Sequence, residues 1–181
     1  IAHGLAAQGA HVILIVRDEK AGSAAAAEIR RVTENNAVDV LVADLSSQAS
    51  IREVAEQVLT RYRRLHVLVN NAGVITRRRS LTVDGIETQF AVNHLAYFLL
   101  TSLLLPRLET SVPARIVVMA SDAHWTHKLD FEDLQLSRGW RPVRAYSQSK
   151  LANVLFAYEL ARRLSGTGVT VNCAHPGGVA T

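Results

Sequence analysis

Short, unbroken apolar runs alternate with stretches of helical periodicity along the whole chain, and no hairpin signal separates them. Ala10 to Val16 is apolar at every position but His11. Val38 to Ala43, Leu65 to Val69, Arg115 to Ala120 and Val169 to Ala174 have the same strand length. Runs that stay apolar on both alternating positions belong to strands buried on both faces, the condition of a parallel sheet. Ile1 to Gln8 reads as the tail of a helix stopped by Gly9. An alanine-rich helix follows Arg17-Asp18 and runs to about residue 35. Ser46 or Ser47 caps a helix from about 48 to 62, with Ile51, Val54, Ala55, Val58 and Leu59 on one side. A long apolar helix spans about 86 to 108, with Pro106 in its last turn. After an irregular stretch to Arg144 comes a last helix, closing near Ser165-Gly166. This order predicts an α/β fold, a doubly wound parallel sheet with helices on both faces.

In such sheets the chemistry gathers at the carboxyl ends of the strands. Arg17, Asp44, Asn70 to Gly73, Ser121 and His175-Pro176-Gly177 all fall there. Just after the fourth strand and its loop come Tyr146 and Lys150, four apart, on one face of the last helix. A phenol titrates at about pH 10 and exchanges protons slowly at neutrality. An ammonium about 4 Å away favours the phenolate by up to roughly 4 kcal/mol at an effective dielectric of about 20. Reduced by water, that still brings a tyrosine toward general acid–base work. Such a pair alone is common in helices and most do nothing; its place beside the polar strand ends gives it weight.

The 181 residues are one domain's worth of chain, 49% of them hydrophobic, and no apolar run reaches the length of a membrane span. The net charge of +4 raises a nucleic-acid reading. Its clusters, Arg61/Arg63/Arg64, Arg77 to Arg79 and Arg138/Arg141/Arg144, lack an aromatic stacking platform and read as solvated ends. Of the seven histidines, His124 and His127 form one His-x-x-His with no carboxylate or thiol at ligand spacing, so no metal is expected. The single cysteine, Cys173, rules out an internal disulfide, fits a reducing, cytoplasmic setting and reads as a small core residue.

Taken together, Asp44-Leu45, Asn70-Asn71-Ala72-Gly73, Asn93, Ser121, Tyr146-x-x-x-Lys150 and Pro176-Gly177-x-Val179-x-Thr181 resemble the short-chain dehydrogenase/reductase family. The string Ser149 to Phe156, the Glu159 to Leu164 segment, Ala123-His124 and the long gap from Ser121 to Tyr146 are similar to its retinol-dehydrogenase-like branch. The resemblance covers essentially all of the chain and implies a Rossmann-type domain over residues 1–181. It implies hydride transfer between a nicotinamide cofactor and a carbonyl or alcohol, lipophilic in this branch. Tyr146 would exchange the proton with the substrate oxygen, Lys150 would hold the nicotinamide ribose and stabilise the phenolate, and Ser121 would hydrogen-bond the reacting carbonyl. Asn93 would anchor a water linking Lys150 to solvent. Asn71, Ala72 and Gly73 would line the adenosine side, Asp44 with Leu45 the adenine, and Pro176, Gly177, Val179 and Thr181 the nicotinamide. NAD-preferring relatives end the first of these strands with an acidic residue. Here Val16 stands there and Arg17 follows, a guanidinium suited to a 2′-phosphate, so NADP(H) is expected. In the NAD(H) alternative Asp18 takes the ribose.

The same resemblance marks two departures. The family opens with a strand and a glycine-rich phosphate loop, and this chain begins within the helix that follows; it also ends ahead of the family's substrate segment. The domain is therefore expected to be incomplete at both ends. In the strand order 3-2-1-4-5-6 the missing strand is the central one, so residues 10–16 and 65–69 are expected to face each other across a slot about two strand spacings wide, about 9 to 10 Å. An inert chain of the same fold serving as a binding module is the competing function. Homo-oligomers through the two long helices and an anchor ahead of the first strand occur among relatives.

Overall fold

The computed structural model describes residues 1–177. Five parallel strands are present among them: β1 (Val12–Val16), β2 (Val38–Val42), β3 (Val67–Asn70), β4 (Ala114–Met119) and β5 (Val169–Ala174). The helices are α1 (Ala2–Ala7), α2 (Glu19–Thr33), α3 (Gln48–Arg61), α4 (Thr88–Phe90), α5 (Ala96–Glu109) and α6 (Pro142–Arg163). A π-helical turn, Ala91–Leu95, joins α4 to α5 as one rod, and a 3₁₀ turn, Asp122–Trp125, follows β4.

Local chemistry explains the boundaries. Asp18 caps α2, its carboxylate accepting the Ala21 N–H at 2.9 Å, and the helix ends where Glu34 turns left-handed. Ser47, not Ser46, caps α3. The last helix starts at Pro142, earlier than the irregular stretch to Arg144 had suggested. Proline supplies no N–H and its fixed φ suits the first helical position. The π turn has no counterpart in the sequence expectation, which had one regular helix there.

The pleat divides the core in two. Ile13 and Ile15 face one side with Leu41, Leu68, Ile116 and Val118, against Ile51, Val54, Leu100, Leu104 and Ala157 from α3, α5 and α6. Val12, Leu14, Val38 and Val40 face the other side, with Ala6 of α1 and Ala26 of α2. Each fully buried leucine on the first side, such as Leu104, contributes about 1.5–3 kcal/mol. The rod Thr88–Glu109 is long and apolar enough to cross a membrane, which the sequence reading had not anticipated. In the fold half of that apolar stretch is buried, with Leu104 and Leu108 at most 1% exposed and Phe98 exposed.

The sheet is split. Val12 to Val16 pair in register with Val38 to Val42, while β3, β4 and β5 form a separate three-stranded sheet. Between β1 and β3 lies a cleft of about 630 Å³, walled by Ile13, Ile15, Leu68, Tyr97 and Leu100 and reaching Leu45, Asn71 and Ala72 at one end. Placed in the doubly wound order, the split falls where the central strand belongs. The expected slot is present.

Candidate active site

The carboxyl ends of the strands meet the long helices around Lys150. Its side chain crosses the buried face of α6, only 4% exposed, and its Nζ donates to the Met119 carbonyl at the end of β4 at 3.0 Å. Nζ lies 5.5 Å from the centre of the Tyr146 ring and 5.9 Å from that of Tyr97. Burial pushes the Lys150 pKa down to about 8, partly offset by the nearby Cys173 thiol. An ammonium has three protons to donate, and the protein takes one of them through Met119. Tyr146 sits half-buried one turn earlier on the same helix.

Asn93 lies in the π turn and is fully buried. Its Oδ1 accepts the Val74 N–H at 2.7 Å, and its Nδ2 donates to Val74 O at 3.0 Å and to Ser149 Oγ at 3.1 Å. Gly73 lies between this amide and Lys150: a β-carbon there would be 3.4 Å from Asn93 Oδ1 and 3.7 Å from Lys150 Nζ. Gly73, Asn93 and Lys150 thus form one cluster. A π turn inside an α-helix commonly marks a functional position.

Several polar residues of this cluster escaped the sequence reading. Asn153 Nδ2 donates to the Asn93 carbonyl at 2.9 Å and to Met119 O at 3.2 Å. With both donations spoken for, Asn153 Oδ1 is the acceptor toward His94 Nδ1 at 3.0 Å. Burial lowers the His94 pKa, so a neutral ring carrying its proton on Nδ1 fits the contact. Ser147, Gln148, Ser149, Lys150 and Asn153 are all at most 4% exposed. A run of polar residues on a helix face that periodicity assigns to the core was the available signal.

Ser121 follows β4 at the carboxyl end of that strand. It caps the 3₁₀ turn, its Oγ accepting the Ala123 N–H at 3.3 Å, and the turn is fastened to α6 by a 2.7 Å bond between Thr126 and Ser147. His124 donates from its ring to the Ser121 carbonyl at 2.6 Å. Arg17 is exposed at the end of β1, close enough to Asp44 to lower its pKa. The larger cause is the Ser46 N–H, donated to Asp44 Oδ1 at 2.9 Å. Leu45, Asn71 and Ala72 line the same end of the slot. Pro176 and Gly177 are exposed beyond β5, just after a 3.0 Å contact between His175 Nε2 and Asp122 Oδ2. Val179 and Thr181 lie outside the described residues. Cys173 is a correction: it is exposed on β5 rather than a core residue. Its thiol pKa is pushed up by partial burial, with Lys150 pulling the other way. Among the described residues no cluster of metal-ligating side chains occurs.

The chain matches the short chain dehydrogenase family over residues 1–181. It is 51% identical to retinol dehydrogenase 12 of Mus musculus over 176 residues, 97% of this chain and 56% of that protein. With human retinol dehydrogenase 13 it shares 48% over 174 residues, 96% of this chain and 53% of that one. The chain therefore spans about half the length of these curated relatives. A crystal structure of an uncharacterised protein from Mycobacterium paratuberculosis superposes with a TM-score of 0.87 at 43% identity, over 99% of this chain and 63% of that one. The Pseudomonas aeruginosa RhlG/NADP active-site complex gives 0.80 at 31%, over 99% and 67%.

Proposed function

The chain belongs to the short-chain dehydrogenase family, and from that premise we propose that it carries the catalytic core of an oxidoreductase acting between NADP(H) and a lipophilic carbonyl or alcohol. One observation carries the reading: a buried ammonium, Lys150, spends one proton on the protein and lies against the ring of a half-buried tyrosine. A buried charge with donors to spare is costly unless a ligand uses them.

In this reading Tyr146 gives or takes the proton on the substrate oxygen. Lys150 donates its remaining protons to the nicotinamide ribose and keeps positive charge beside the phenol, lowering the barrier to proton transfer. Ser121 donates to the reacting carbonyl as negative charge develops there. Asn93 anchors a water leading away from Lys150. Asn71, Ala72 and Gly73 line the adenosine side, Asp44 and Leu45 the adenine, and Pro176 and Gly177 the nicotinamide. The nicotinamide itself supplies or accepts the hydride.

The NADP(H) preference rests on Arg17. The alternative residue, Asp18, already spends one carboxylate oxygen on the α2 cap, and the RhlG structure is described with NADP. A lipophilic substrate is supported by relatives named for retinol, an apolar alcohol. The test is Tyr146→Phe in the full chain. Turnover should fall by about 10²–10⁴-fold, with the dinucleotide Kd changed by less than about twofold, as expected when a single hydroxyl that the cofactor does not need is removed. Retained turnover would remove Tyr146 from the chemistry.

A further inference from the structure

Three side chains spaced four apart on the long rod bond a chain segment at positions spaced two apart. Asn93 holds Val74 through both its N–H and its carbonyl, at 2.7 and 3.0 Å. The Tyr97 hydroxyl donates to the Ala72 carbonyl at 2.7 Å. Thr101 Oγ1 accepts from Asn70 Nδ2 at 2.9 Å. The spacing works because four helical residues advance about 6 Å and two extended residues about 6.6 Å, so helix and strand end stay in step for three teeth. Tyr97 is the middle one. It is 2% exposed, and its ring also lies 5.9 Å from Lys150 Nζ, within cation–π range.

We propose that Tyr97 is a positioning residue that fixes the Asn71-Ala72-Gly73 loop through its hydroxyl and seats the Lys150 ammonium through its ring. The inference rests on the oxidoreductase reading above only for its kinetic consequences; the pinning of the loop stands on the geometry. No other side chain bonds the Ala72 carbonyl among the described residues. Loss of the hydroxyl therefore frees the middle of the loop and lets the neighbouring Val74 N–H part from Asn93 more often. Loss of the ring removes the aromatic face under the ammonium and leaves Met119 O as its fixed partner.

The test compares Tyr97→Phe and Tyr97→Leu in the full chain, with two readouts. The first is hydrogen exchange at the Val74 amide without cofactor. Tyr97→Phe should speed it about fivefold, the loss of one ordinary hydrogen bond. The second is steady-state kinetics. Tyr97→Phe should raise the KM for the dinucleotide about fivefold with kcat changed less than about twofold. Tyr97→Leu should in addition lower kcat about fivefold, as the ring's contact with the ammonium is lost. Unchanged exchange at Val74 and unchanged KM in Tyr97→Phe overturn the loop role. A kcat in Tyr97→Leu equal to that of Tyr97→Phe overturns the ring role. Should Tyr97→Leu fail to fold, shown by its circular dichroism, Tyr97→Trp keeps an aromatic face and is expected to retain the parent kcat; a fivefold fall there overturns the ring role instead. If the parent reduces no carbonyl with either dinucleotide, the oxidoreductase reading fails, and exchange at Val74 still decides the loop role.

Discussion

At the scale of single residues, the site is built on a charge placed where it is expensive. Burial lowers the Lys150 pKa from 10.5 to about 8. Below pH 8 the ammonium is charged in folded and unfolded chain alike, and the cost of burying it is present in full. As pH rises from about 8 to 10.5 the unfolded chain binds more of this proton than the folded one, so stability from this group rises, and the cost is gone above that window. Lys150→Met should thus be inactive yet more stable at pH 7, by up to about 3 kcal/mol. The Met119 carbonyl is not orphaned by the change, since Asn153 also donates to it. Urea unfolding at pH 7 and pH 10.5 checks this: a gain of equal size at both pH values would contradict it. The Tyr146–Lys150 pair could be read from the sequence because its four-residue spacing is a property of one helix. Asn153, Ser149, Tyr97 and His94 could not, because their partners lie on other elements and a lone polar residue in a helix resembles a solvated one.

At the scale of elements, the first crossover depends on a residue that composition hides. Gly22 sits in the alanine-rich α2, and a β-carbon there would stand 2.5 Å from Val16 Cγ2. The helix thus lies directly against β1. Gly22→Ala should push α2 outward and destabilise by about 1–3 kcal/mol, despite alanine's better helix propensity. A lower urea midpoint at unchanged slope is the expected result, and a higher midpoint would mean that propensity outweighs the clash. The strands were legible because both faces are apolar, which no helix of this length requires. The π turn was not: Ala91 to Leu95 has ordinary helical composition, and the partners of Asn93 within it lie on other elements.

At the scale of the whole molecule, the slot decides how the polypeptide of these 181 residues behaves alone. Kept dry, a void of about 630 Å³ would cost about 15 kcal/mol at about 24 cal/mol per Å³, as much as a domain's whole stability. Flooded, it leaves Ile13, Ile15 and Leu68 against water and presents two bare strand edges. Either way the purified polypeptide should bind a hydrophobic dye and associate at micromolar concentration. A monodisperse, dye-free monomer by light scattering would contradict this. The position of the slot was legible through the family resemblance, since the strand it showed to be absent is the central one of the order 3-2-1-4-5-6.

The missing ladder between β1 and β3 also bears on how the molecule comes apart. Every backbone bond of β1 within the sheet goes to β2, near it in sequence, and every bond of β3 goes to β4. Between the two pieces run side-chain packing against α3 and α5 and a few side-chain hydrogen bonds, from Tyr62 to Asp39 of β2 and from Arg107 of α5 to the Tyr62 and Leu59 carbonyls. Packing and a few side-chain bonds, without a shared strand ladder, couple two units more weakly than a continuous sheet, so each becomes a foldon with its own opening energy. The half carrying Arg17 can then loosen while the half carrying Tyr146 and Lys150 stays assembled.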